Sequence, residues 1–149
     1  MTMPSDPSDL PTTLRRAVGR LSRRLRQTQA GADLTPSQYE VLVTLALHSP
    51  VRHADLAALD GLNPTMLSRV VGKLEARGLA TRLADDADGR FVHVAITDEG
   101  RDLVARVRQE RAAVLRSALS SLSDEEVRTV EAALPALEVL AEKLKDRTA

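Results

Sequence analysis

The sequence predicts a mainly α-helical protein of about six helices that carries one small antiparallel β-hairpin as a wing. Three observations lead to that expectation. Apolar residues recur at steps of three and four in the segments beginning at Leu14, Tyr39, Met66, Leu103 and Val127. Between Leu79 and Ile96 the period falls to two, with the turn-forming run DDADG in the middle. Start and stop residues such as Thr35-Pro36, Asn63-Pro64 and Gly78 punctuate the helical stretches.

The elements follow in order. The first ten residues are rich in Pro, Ser and Asp and are expected to form a disordered tail. From Thr12 to about Thr28, Leu14, Val18, Leu21 and Leu25 make one apolar stripe, while Arg15, Arg16, Arg20, Arg23, Arg24 and Arg26 fill much of the rest. Gly31 and Asp33 end this helix. Thr35 as N-cap with Pro36 at the first turn starts a second helix, which stops at Ser49-Pro50. A short helix from about His53 to Leu59 closes at Asp60-Gly61. Asn63 and Pro64 open the next, which ends at Gly78. Two short helices joined by a tight glycine-containing turn form a helix-turn-helix pattern.

Strands are expected over Leu79–Leu83 and Phe91–Ile96. Thr97 with Asp98 and Glu99 then caps a fifth helix, and Ser123 with Glu126 forms a capping box for a sixth. Pro135 falls inside that last helix, where a kink is expected. In it Val127, Val130, Leu134, Leu137 and Leu144 repeat near heptad spacing. The stripes of the first, fifth and sixth helices have little within one chain to cover them, which suggests a dimer. Leu14, Val18 and Leu21 are its candidate residues on the first helix, and the heptad-like set on the last.

Composition narrows the function classes. The chain has 149 residues, with 21 Lys+Arg against 21 Asp+Glu, so it cannot coat nucleic acid by bulk charge; a local basic patch is still allowed. There is no cysteine, hence no disulfide framework and no thiolate zinc site. The N-terminus does not resemble a signal peptide and no apolar run is long enough to span a bilayer, so a cytoplasmic protein is expected. His48, His53 and His93 are the only histidines. HExxH, GxSxG and glycine-rich phosphate loops are lacking, so neither catalytic nor metal-binding residues are expected, and no cofactor.

The helix from Pro64 carries the strongest signal. On a wheel of ~100° per residue, Met66, Leu67, Val70, Val71 and Leu74 share one arc. Pro64, Thr65, Ser68, Arg69 and Gly72 share the opposite one, with Lys73 at its border. Asn63 is the cap. The second helix of a helix-turn-helix enters the DNA major groove with its N-terminal part toward base edges. Short side chains permit close approach, hydroxyls bond bases or phosphates, and Arg can grip guanine with two hydrogen bonds. At the hairpin tip, Arg90 can reach a neighbouring minor groove, and Asp88 can orient its guanidinium.

These residues support a resemblance. From Leu34 to Gly100 the chain resembles the MarR family of bacterial winged helix-turn-helix regulators. The resemblance rests on LTPSQYEVL, LSRVVGKLEARGLATR, DDADGR and ITDEG. Where the family's wing commonly has Asp-Pro-x-Asp-Arg-Arg, Asp88 and Arg90 match, while Asp86 replaces the Pro and Gly89 the first Arg. The resemblance implies a winged helix-turn-helix lobe over residues 34–97 and dimerisation helices over 11–33 and 98–146, all in a single domain over 11–146. It implies a homodimeric repressor that binds a pseudopalindromic double-stranded operator. Carried over as DNA contacts are Pro64, Thr65, Ser68, Arg69, Lys73, Asp88 and Arg90. The family also implies release by a small aromatic or acidic effector, for which Arg16, Arg20, Arg23, Tyr39 and His48 are the candidate contacts. Two alternatives stand beside this reading: a winged-helix module that binds protein without DNA, and a regulator that activates.

Overall fold

The computed structural model describes residues 9–27, 33–84 and 91–145. In chain order these form α1 (Leu10–Arg26), α2 (Pro36–His48), β1 (Val51–Arg52), α3 (His53–Leu59), α4 (Pro64–Ala76), β2 (Ala80–Ala84), β3 (Val92–Ile96), α5 (Asp98–Leu119) and α6 (Asp124–Lys145). Most of the expected tail, Gly31, the DDADG turn and Arg90 lie outside the described residues.

The caps behave as their residue types dictate. Thr35 Oγ1 accepts from Gln38 N–H at 3.3 Å while the Gln38 side chain accepts from Thr35 N–H at 3.1 Å, a full capping box. Asn63 Oδ1 accepts from Met66 N–H at 2.8 Å. Ser123 and Glu126 cap α6 reciprocally, and the hydrogen bonds from Ser123 hold the Glu126 carboxyl below its ordinary pKa. Helix α6 runs through Pro135 as one element. Helices α3 and α4 each end with a left-handed glycine, Gly61 at φ 62° and Gly78 at φ 69°. After each, the chain folds back: Leu62 N–H bonds Ala57 C=O and Leu79 N–H bonds Leu74 C=O, both at 2.9 Å. These are Schellman closures, which any side chain with a Cβ would strain. They set the tight turn into α4 and the exit from α4 into the hairpin.

The sheet has one more strand than the sequence reading expected. Strand β1, only two residues long, pairs antiparallel with β3, giving the order β1-β3-β2. Periodicity cannot reveal a two-residue strand. Its hydrogen-bonded partner, β3, is remote in the chain. The predicted hairpin strands are otherwise found within a residue of their expected ends, with Ala80 opposite Ile96 and Ala84 opposite Val92.

The chain divides into two compact units, Met1–Arg111 and Ala112–Ala149, with the boundary inside α5. The first unit holds one aliphatic core. Val41, Leu42 and Leu45 of α2, Leu56 of α3, Leu67, Val71 and Leu74 of α4, Val94 of β3 and Val107 of α5 all pack into it. Helix α4 therefore presents its apolar arc inward, as expected, with one correction: Met66 is half exposed and outside the core. It lies at the N-terminal edge of the arc, where α4 has no core to cover. In the second unit none of the described side chains is buried by the single chain, and α1 buries none either. Among the described residues no helix is long and apolar enough to cross a membrane.

Candidate nucleic-acid interface

With its apolar arc in the core, α4 has one direction left for the opposite arc. Pro64, Thr65, Ser68, Arg69 and Lys73 are all exposed. Gly72 on the same side is half-buried, yet a Cβ built there meets nothing within 4 Å. Packing inside the chain does not require a glycine here. Gly72→Ala should stabilise the protein by about 0.5–1 kcal/mol in chemical denaturation, the ordinary gain for alanine in a helix interior.

Strand β2 is tied to α4 by Arg82. Its backbone N–H donates to Glu75 Oε1 at 2.9 Å and its guanidinium to Glu75 Oε2, while Nη2 donates to Ser68 C=O at 3.0 Å. Arg82 and Glu75 together brace the recognition-helix candidate against the wing. A carboxylate beside a cationic face carries no distinguishing signal in sequence, because its partner arrives through the turn.

A hollow beside this brace is lined by Arg52, His53, Asp55, Ser68, Arg82 and Phe91, among others. His53 Nε2 lies 3.2 Å from Ser68 Oγ. Burial and then the positive charge of Arg82 lower the His53 pKa, so the ring tends toward neutral. Arg52 stacks over the Phe91 ring at 4.8 Å, a cation–π contact at the base of the wing. Asp88 and Arg90 lie outside the described residues.

The candidate effector residues are not gathered in one place. A cavity of about 310 Å³ is bounded by Ser22, Leu25 and Arg26 of α1, Leu34 to Pro36, Tyr39 and Glu40 of α2, and Arg111 of α5. Of the five predicted residues only Tyr39 lines it. Its ring is buried in the core and lies under the Arg111 guanidinium at 4.3 Å. Arg111 Nε is buried and without a hydrogen-bond partner. Arg20 and Arg23 line a separate depression along α1, and Arg16 and His48 are exposed away from the cavity. Arg111 lacked a sequence signal because it interrupts the apolar pattern of its own helix and meets Tyr39 only through the fold. Among the described residues no cluster of His, Cys, Asp and Glu could hold a metal ion.

Known proteins share this fold and part of the sequence. The MarR family model matches residues 34–92. An HTH-type transcriptional regulator of Mycobacterium bovis is 32% identical over 117 residues, which are 78% of this chain and 82% of that one. The HTH-type transcriptional repressor MdtR of Bacillus subtilis is 25% identical over 120 residues, covering 80% of this chain and 77% of MdtR. Among solved structures, the PcaV transcriptional regulator of Streptomyces coelicolor is similar at a TM-score of 0.67 and 26% identity, over 89% of this chain and 98% of that one.

Proposed function

Because the chain belongs to the MarR family of transcriptional regulators, we propose that it acts as a homodimeric repressor on a pseudopalindromic DNA operator. The observation that carries this reading is the split of α4: Leu67, Val70, Val71 and Leu74 are in the core, while Thr65, Ser68, Arg69 and Lys73 stand exposed. Pro64 and Thr65 lead the helix into the groove, Ser68 and Arg69 meet base edges or phosphates, and Lys73 meets backbone. Asp88 and Arg90 serve the wing. Repression is supported by the likeness to MdtR, itself a repressor by name.

A dimer accounts for the apolar surface the single chain leaves uncovered. On α6, Val130, Leu134, Leu137 and Leu144 are exposed and Val127 is half-buried; on α1, Val18 and Leu21 are exposed and Leu14 is half-buried. Two protomers then present two recognition helices to successive turns of the duplex.

The test is a titration of wild type and variants against duplexes that the protein itself selects. Arg69→Ala should weaken binding by about 1–3 kcal/mol and relax preference at particular base pairs. Arg90→Ala should weaken binding evenly across sequences and lower the salt slope by about one. Indifference of both variants would remove these roles and favour a winged-helix module that binds protein.

Effector release is the second part of the reading. The Tyr39 ring and the unpartnered Arg111 Nε suit a small aromatic acid, with the ring packed on Tyr39 and its carboxylate toward Arg111 or Arg26. Aromatic acids that raise the melting temperature and release the operator would support it. A broad screen with no such compound would end it.

A further inference from the structure

We propose that His53 sets the hydrogen-bond polarity of Ser68, so that the protonation state of His53 decides which kind of base edge the recognition helix prefers. The inference rests on the reading of Ser68 as a DNA contact. His53 is the first residue of α3 and Ser68 lies in the middle of the exposed arc of α4, 15 positions later, with Nε2 and Oγ at 3.2 Å.

A serine hydroxyl has one proton to give and two lone pairs to accept with. If the neutral ring turns its Nε2 lone pair toward Ser68, the hydroxyl proton is used on His53. Ser68 then faces the groove as an acceptor, suited to the amino groups of adenine or cytosine. If the ring is an imidazolium, Nε2 carries a proton and Ser68 Oγ must accept from it. The hydroxyl proton is then free for the carbonyl oxygen of guanine or thymine. One proton on His53 reverses what Ser68 offers.

Charged neighbours favour the first state in the free protein. Arg82 of β2 donates through Nη2 to the Ser68 carbonyl, which puts its charge on the Ser68 side of the hollow. A lone pair facing that side is favoured over an N–H dipole. Burial and the same Arg82 charge depress the His53 pKa. The other charged residues around the hollow, among those described, are Arg52 on β1 and Asp55 on α3, with Glu75 of α4 paired to Arg82. His93 of β3 stands in register with Arg52.

The sign of the pH effect follows. A phosphate backbone favours the charged ring, so DNA raises the His53 pKa above its depressed value in the free protein. The complex therefore binds more protons than the free chain, and affinity rises as pH falls between the two values. The gain is about tenfold for each unit by which DNA raises that pKa.

The test uses the purified full-length chain to select duplexes from a random pool at about pH 5.5 and about pH 8, on either side of the histidine range. One position of each half-site should change, from adenine or cytosine at the higher pH to guanine or thymine at the lower. The preference should be about three- to tenfold, the range for one net hydrogen bond. In Ser68→Ala that position should lose its preference at both pH values. In His53→Gln, whose amide does not titrate, it should read the same at both. The proposal is overturned if the wild-type position ignores pH while Ser68→Ala erases it, or if the pH effect persists in His53→Gln. If Ser68→Ala changes no position, or no duplex is selected, the reading of Ser68 or of DNA binding itself fails first and the proposal falls with it.

Discussion

Gly100→Ala is expected to lower the stability of the protein by about 1–3 kcal/mol, read as a shift of the denaturation midpoint without a change in slope. Gly100 is buried in the first turn of α5. A Cβ placed there would overlap the Leu79 carbonyl oxygen and come within 2.7 Å of Ile96 Cγ1. The carbonyl cannot step aside cheaply. It accepts from Thr97 N–H at 3.1 Å, while Thr97 Oγ1 donates to Gly78 C=O at 2.6 Å and accepts from Gly100 N–H at 3.1 Å. This knot fastens the start of α5 to the exit of α4. Overpacking costs about 1–3 kcal/mol and a broken hydrogen bond about 1, offset by about 1 for alanine's helix propensity. The two glycine replacements are therefore expected to act in opposite directions: Gly72→Ala stabilises and Gly100→Ala destabilises. An unchanged midpoint for Gly100→Ala would mean that α5 does not start against Leu79.

Leu137→Asp is expected to turn the proposed dimer into a monomer and to weaken the proposed operator binding by about 10²- to 10⁴-fold, the advantage of two linked contacts over one. Leu137 lies midway along α6, 39% exposed in the single chain. Covering it against a second copy would desolvate it, and an aspartate there would be buried without a partner. Because α6 buries no side chain within one chain, the variant should keep the helical content and melting cooperativity of the lobe. Analytical ultracentrifugation alongside a binding titration separates the two losses. A variant that stays dimeric and binds normally would place the dimer interface elsewhere. A monomer that binds as tightly as wild type would leave α6 as the interface and sever dimerisation from affinity.

Much of this was legible because the signals are local. Thr35 with Gln38, Asn63 with Pro64, and Ser123 with Glu126 act within one turn of helix, so the sequence contains both partners side by side. Gly61 and Gly78 mark the helix ends because left-handed backbone is cheap for glycine alone. The apolar arc of α4 was readable for the same reason, save Met66, since a wheel records the direction of a side chain but not whether a core lies beneath it.

The family, the order of helices and hairpin, and the exposed polar face of α4 were thus determined by the sequence alone. What the tertiary structure decided is how remote residues meet: β1 with β3, Glu75 with Arg82, His53 with Ser68, and Tyr39 with Arg111. Each pair is assembled by turns and core packing, and each member read singly looks like an ordinary surface or core residue. Local periodicity encodes which way a side chain points from its own element; only the packed fold supplies what it meets there.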